Sequence, residues 1–146
     1  MPIALITGAS AGLGAEFARA LAARGYDLIL VARRMDRLQE LAATLSGVRV
    51  ECVSADLTAD ADIERVAARC NHLDLLVNNA GFGTRGLFGI VKLETQMAMH
   101  KLHVMTTVRL THAALQTMMT HDAGAVINVS SVAAFTHSPG NVSYCA

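Results

Sequence analysis

The sequence predicts an α/β fold, a doubly wound parallel sheet of five strands with helices on both faces, on three observations. Short β-rich apolar runs alternate with longer amphipathic stretches along all 146 residues. The runs are close to continuously apolar, as strands covered on both faces are. A glycine-rich turn joins the first run to the first amphipathic stretch. Alternation of strand and helix makes the sheet parallel, because right-handed crossovers place helices on both of its faces.

Ile3 to Thr7 is the first strand. A helix follows from Gly12 to Arg24, with Leu13, Phe17 and Leu21 at four-residue spacing, and Gly25 ends it. Asp27 to Ala32 is the second strand. Met35, Leu38, Leu41, Ala42 and Leu45 mark a helix that stops near Ser46-Gly47. Val48 to Val53 alternates as a third strand. The next helix runs from Ala59 to Cys70, with Asp60 and Asp62 near its positive N-terminal end. Leu73 to Asn78 is the fourth strand, and the glycine-rich stretch from Gly81 to Gly89 is a mobile loop. Leu93 to Thr120 reads as one long helix, and Gly124 to Ser130 as the fifth strand.

Composition bounds the function. Hydrophobic residues make up 53% and charged residues 16%, which supports a sizeable core and excludes disorder. Twelve basic and twelve acidic residues balance to zero net charge, against a nucleic-acid surface or a polybasic membrane patch. No apolar run reaches the roughly 18 residues that span a bilayer. The N-terminus lacks a basic leading segment and runs into the glycine turn, as a strand and not a signal peptide. Cys52, Cys70 and Cys145 lack C-x-x-C spacing and read as free thiols in a reducing cytoplasm. With no repeat, low-complexity tract or linker, residues 1–146 form a single domain.

The turn Thr7 to Gly14, T-G-A-S-A-G-L-G, lies where sheets of this Rossmann type bind a dinucleotide pyrophosphate. Gly8 permits a tight exit from the strand. Gly12 removes a side chain where phosphate approaches the backbone, and Gly14 lets the helix pack closely on the sheet. The helix's free N–H groups and dipole then stabilise the anion. The spacing is G-x-x-x-G-x-G, not G-x-G-x-x-G, so its place between a strand and a helix carries the assignment. After the second strand, where a carboxylate would bind the ribose 2′-hydroxyl of NAD, stand Arg33 and Arg34. Guanidinium groups suit a 2′-phosphate by charge and fork geometry, so NADP is expected over NAD.

At these residues the chain resembles the short-chain dehydrogenase/reductases over essentially its whole length. The matching segments are T-G-A-S-A-G-L-G at 7–14, Asp56-Leu57, N-N-A-G at 78–81, N-V-S-S at 128–131 and P-G-N-V-S-Y-C-A at 139–146. The resemblance implies that Gly8, Ser10, Gly12, Leu13 and Gly14 line the pyrophosphate. Arg33, with Arg34 beside it, would take the 2′-phosphate, and Asp56 and Leu57 would flank the adenine. Asn79, Ala80 and Gly81 would pass beneath the adenine-side ribose and the nicotinamide half. Ser131 stands thirteen residues before Tyr144, the spacing of the family's catalytic serine and tyrosine.

The implied activity is NADP(H)-dependent hydride transfer to or from a small carbonyl or alcohol. Ser131 would hydrogen-bond the reacting oxygen, and Tyr144 would donate or accept its proton. A free tyrosine titrates near about 10 and needs nearby positive charge to act at neutrality. The family supplies a lysine one helical turn on, which would fall at position 148, past Ala146. The family's later strands, substrate loop and dimer-forming helices are likewise expected beyond these residues. The domain is therefore expected to be incomplete at its C-terminus, and the full-length protein a homo-oligomer, dimer or tetramer. Where the family commonly has an asparagine in a proton relay, this chain has His103, whose imidazole can also shuttle protons. The alternative is a histidine with a structural hydrogen bond. His100, His103 and His112 do not share one helix face and have no completing cysteine or carboxylate, so no metal site is expected.

Met97, Met99, Met105, Met118 and Met119 lie on the long helix as packing residues, with a partner interface as the minor reading. Phe82 and Phe88 are candidates to touch substrate or to anchor the glycine-rich loop. A second function class is a non-catalytic protein that keeps the fold and at most binds cofactor. A third, a sugar-nucleotide epimerase, shares the serine–tyrosine chemistry but spaces its glycines differently and has an acidic residue after the second strand.

Overall fold

A computed structural model of the chain describes residues 1–136 and 138–146. Five strands, β1 (Ile3–Thr7), β2 (Asp27–Ala32), β3 (Val50–Ser54), β4 (Leu75–Asn78) and β5 (Ala125–Asn128), form one sheet. Its order is β3-β2-β1-β4-β5, and every adjacent pair is parallel. The chain crosses from one half to the other between β1 and β4, which makes the carboxyl ends of those strands the place for a ligand.

The strands are apolar because both faces are covered. Leu5, Val31, Val53 and Leu76 point to one face, where they meet Ile63 and Val66 of α3 (Asp60–Ala67) and Leu110, Ala114 and Met118 of α5 (Thr107–Thr120). Ala4, Ile6, Leu28, Leu30, Leu75 and Val77 point to the other. There they pack on Ala15, Ala18 and Leu21 of α1 (Gly12–Ala22) and Leu38 and Leu41 of α2 (Met35–Ala43). The two-residue period of a strand divides one apolar run between two cores. β4 is buried throughout, whereas three of the four residues of β5 are exposed.

β1 and β2 begin and end where the apolar runs do. β3 starts two residues later than expected, after a turn in which Gly47 adopts φ +78°. α3 stops at Ala67 because Arg69 and Cys70 bond back only three residues, to Val66 and Ala67, closing a tight turn. Leu73 and Asp74 precede β4 but already serve the sheet: the Asp74 N–H donates to Ile3 O at 2.9 Å, and the Ile3 N–H to Asp74 Oδ2 at 2.7 Å.

The long helix is a composite. α4 (Leu93–His100) passes into a π-helical stretch, Lys101–Thr106, and then into α5. Tertiary hydrogen bonds accompany the widened turn: Thr106 Oγ1 donates to Leu57 O at 2.8 Å, and His103 bonds the backbone of Phe82. After β5, a 3₁₀ turn at Val132–Phe135 and a short α6 (Val142–Cys145) complete the described chain.

One ion pair at the edge of the sheet gives the fold a pH dependence. The buried Asp27 carboxylate accepts from the Arg49 N–H at 2.8 Å and from the Arg49 guanidinium. The backbone N–H of Arg49 first, then its side-chain hydrogen bond, hold Asp27 below the ordinary carboxylate range. A carboxyl whose folded pKa is depressed contributes stability above its unfolded value, near about 4, and loses it as pH falls through the folded value. Asp27→Asn should therefore flatten the acid limb of a Tm-versus-pH curve below about pH 4. An unchanged limb would assign acid lability elsewhere.

Candidate active site and cofactor cleft

The site is built on the exit from β1. Gly8 turns the chain at φ +69°, and a Cβ there would stand 2.8 Å from Ala80 Cα and 2.9 Å from Asn79 Nδ2. A side chain on Gly14 would run into the carbonyl oxygen of Gly8 and the Asn79 amide. The missing side chains at Gly8 and Gly14 let three backbone segments converge. Gly12, at φ +56°, faces open space. Thr7 and Asn79 tie the two central strands at this point: Thr7 Oγ1 accepts the N–H groups of Asn79 and Ala80 at 3.0 Å, and Asn79 Nδ2 donates to Thr7 O at 3.0 Å. The T-G-A-S string contained Thr7, but only the paired strands show its hydroxyl joining them.

α1 begins at Gly12 with Ala11 as its N-cap, no side-chain capping bond and no acid in its first turn. Its first N–H groups and positive end are left for an anion. They face a cleft of about 490 Å³ over the carboxyl ends of the strands. Gly8, Ser10 and Leu13 line it on this side, then Arg33 and Arg34 from the end of β2 and Asp56 and Leu57 from the end of β3. Asn79, Ala80 and Gly81 from the end of β4, Phe82, His103 and Tyr144 complete the wall. Gly12 and Gly14 shape the turn without being among the described lining residues.

The charges are disposed for a phosphate. Arg19, Arg37, Arg49, Arg65, Arg69 and Arg109 pair with carboxylates. Arg33 and Arg34 are exposed and make no such pair among the described residues; Arg34 Nη2 donates to Ser10 Oγ at 3.3 Å. Asp56 Oδ1 accepts from the Thr58 N–H at 3.0 Å and its hydroxyl at 2.8 Å. Those two bonds, with a smaller contribution from the charge of Arg33, hold its carboxyl below the ordinary range. This cradle has the parts a dinucleotide's phosphates need: an uncapped helix end, glycines at the close approach, and two guanidiniums without carboxylate partners among the described residues.

At the far end, the ring of Tyr144 packs edge-on against His103, with centroids 5.7 Å apart. It also lies over Gly83, where an added Cβ would be 3.6 Å from the ring. His103 Nε2 lies 2.9 Å from Phe82 O and 3.2 Å from Phe82 N. Protonated, it donates to the carbonyl; unprotonated, it accepts from the amide. The backbone of Gly81 crosses this imidazole so closely that a Cβ would stand 2.5 Å from Cε1. Ser131 is placed differently from the other candidates. It caps the 3₁₀ turn, its Oγ accepting from the Ala133 N–H at 3.2 Å, and it is not among the described residues lining the cleft. Among the described residues no three histidine, cysteine or acidic side chains stand together as metal ligands, and no helix is long and apolar enough to cross a membrane.

A family model described as short chain dehydrogenase matches residues 2–146. The chain belongs to the short-chain dehydrogenase family. Nodulation protein G of Rhizobium sp. (strain N33) is 35% identical over 147 residues, covering 98% of this chain and 60% of that protein. An uncharacterized oxidoreductase of Myxococcus xanthus (strain DK1622) is 37% identical over 149 residues, covering 98% and 59%. Among solved structures, a short-chain dehydrogenase from Sphingobium yanoikuyae in complex with NADPH superposes with a TM-score of 0.94 at 39% identity, over 99% of this chain and 59% of that one. The bulky-bulky ketone specific alcohol dehydrogenase from Comamonas testosteroni gives 0.94 at 33% identity, over 99% and 60%. The chain thus spans about 60% of the length of the short-chain dehydrogenases it matches.

Proposed function

We propose that these residues form the cofactor-binding and proton-transferring part of an NADP(H)-dependent oxidoreductase acting on a small carbonyl or alcohol. The observation that carries the reading is a single cleft with Arg33, Arg34 and the uncapped α1 at one end and Tyr144 with His103 at the other. The Sphingobium yanoikuyae relative in complex with NADPH supports the choice of cofactor. Membership of a dehydrogenase family over residues 2–146 supports an enzyme over a non-catalytic binder.

Gly8, Ser10, Gly12, Leu13 and Gly14 would hold the pyrophosphate, and Arg33 and Arg34 the 2′-phosphate. Asp56 and Leu57 would flank the adenine, with Asn79, Ala80 and Gly81 beneath the ribose and nicotinamide. Bound NADP(H) supplies or removes the hydride. Tyr144 gives its hydroxyl proton to the substrate oxygen in reduction and takes it back in oxidation. Ser131, outside the described lining of the cleft and with its Oγ accepting from the Ala133 N–H, would donate its hydroxyl to the same oxygen on the strength of the family motif. His103 anchors Nε2 on Phe82 and keeps Nδ1 for proton relay.

Two further expectations belong to this reading. Met97, Val104, Met105 and Val108 expose an apolar face along α4, the π turn and α5, which suits pairing with a second copy. Free Cys52, Cys70 and Cys145 suit a reducing cytoplasm.

The cofactor assignment is tested by titrating NADPH and NADH at fixed salt. Hydrogen bonds to a charged group contribute roughly 1.5–3 kcal/mol, and exposure puts Arg33 at the lower end, so Arg33→Asp should weaken NADPH binding about tenfold. NADH should gain relative to NADPH in the variant. Equal affinities for the two cofactors in the wild-type protein would remove the 2′-phosphate site.

A further inference from the structure

Gln96, on α4, is 6% exposed and bonded at both ends of its carboxamide. Nε2 donates to the carbonyls of Phe88 and Val91, each at 3.0 Å, which seats the far end of the glycine-rich loop on α4. Oε1 accepts from Ser143 Oγ at 2.5 Å. Ser143 is itself buried and immediately precedes Tyr144. A second tie runs between the same two segments, from the Gly86 N–H to Gly140 O at 2.8 Å. The near end of the loop, at Phe82 and Gly83, touches His103 and lies under the Tyr144 ring.

We infer that Gln96 is a positioning residue that couples the seating of the 81–91 loop to the placement of Tyr144 in the cleft. The inference rests on Tyr144 being the proton donor. The chemistry of the carboxamide is specific to the task. It offers two N–H donors on one atom and an acceptor on the other, and here each meets a partner. Glutamate at 96 would turn an oxygen toward two carbonyls while still accepting from Ser143. Leucine would leave the buried Ser143 hydroxyl without its acceptor and both carbonyls without their donor. Because one rigid amide serves both segments, moving either one strains the bond to the other.

Hydrogen exchange and steady-state kinetics on the full-length protein test the coupling with Ser143→Ala, Ser143→Thr and Gln96→Glu. Ser143→Ala deletes one hydrogen bond and does not touch the loop. It should nonetheless speed exchange of the Gly86, Ile90 and Val91 amides by about tenfold, the worth of one buried hydrogen bond. Gln96→Glu should act in the opposite direction along the relay, speeding the Tyr144 and Cys145 amides by a similar factor. In Ser143→Ala, kcat should fall about tenfold while NADPH affinity stays within about twofold, and Ser143→Thr should restore both kcat and protection. Acceleration confined to the mutated segment, or shared equally by the Leu5 and Leu76 amides of the central strands, would overturn the coupling. A wild-type protein with no turnover would sink the enzymatic reading alone, and the exchange pattern would still decide the relay.

Discussion

Tyr144→Phe is expected to lower kcat by about 10²- to 10⁴-fold, the usual worth of a positioned proton donor. The substitution removes one oxygen and keeps the ring. The contacts that place that ring, His103 at 5.7 Å between centroids and the backbone of Gly83, are made by carbon atoms that phenylalanine retains. The end of the cleft proposed to hold the phosphates is built by β1, α1 and the end of β2, none of which relies on the lost hydroxyl. NADPH affinity should therefore stay within about twofold of wild type, as for independent sites. Turnover with a panel of ketones, beside a fluorescence titration of NADPH, separates the two quantities. Retained kcat would place the proton donor on another residue; a parallel loss of cofactor affinity would mean that the ring and not the oxygen was the active element.

The second large effect is expected at Gly14→Ala. A methyl group there meets the Gly8 carbonyl, which belongs to the backbone, and the Asn79 amide, which Thr7 O holds in place. Neither can yield without shifting β1 or β4. Overpacking of this kind costs about 1–3 kcal/mol, and moving the helix end away from its anion should weaken NADPH binding by about tenfold or more. Gly25→Ala is the control: unlike Gly14 it has positive φ, +80°, and its Cβ would meet nothing within 4 Å. It should lose only the left-handed backbone penalty, about 1 kcal/mol, with cofactor affinity unchanged. A Gly14→Ala protein with wild-type Tm and affinity would show that α1 has more freedom on the sheet than its contacts allow.

The legible parts of the sequence were those governed by local pattern. β1 and β2 lie where apolar runs end in glycine or arginine, because a strand covered on both faces has few polar positions to blur its limits. Arg33, Arg34, Asp56 and the N-N-A-G segment could be placed on one cleft because strand ends in a parallel sheet lie side by side. What local pattern hides is partnership across the sheet. The π turn at Lys101–Thr106 keeps an ordinary helical sequence, and its distinguishing bonds are to Phe82 and Leu57, about 20 and 50 residues away in the chain. Ser131 was legible as a motif member, yet its capping of the 3₁₀ turn was not, since Val132–Phe135 has no helical period to announce it. Thr7 closes an apolar strand and Gln96 follows Glu94 and Thr95 on α4, so nothing local marks either one, and their roles exist only once distant carbonyls and amides are brought to them.

The Thr7–Asn79 tie bears on how the protein acquires its ligand affinity. Its partners are 72 residues apart in sequence, and β2, β3 and three helices intervene. Closing so long a loop is entropically unfavourable until the parallel strands pair, so the floor of the cleft forms late in folding. No collapsed intermediate lacking the β1–β4 pairing has a dinucleotide site. The cofactor consequently distinguishes native chains from partly folded ones, and at 100 times its dissociation constant it should add about 2.7 kcal/mol to the native state alone. On the proposed function, the nicotinamide pool of a cell would act on this protein as a folding ligand as well as a reactant.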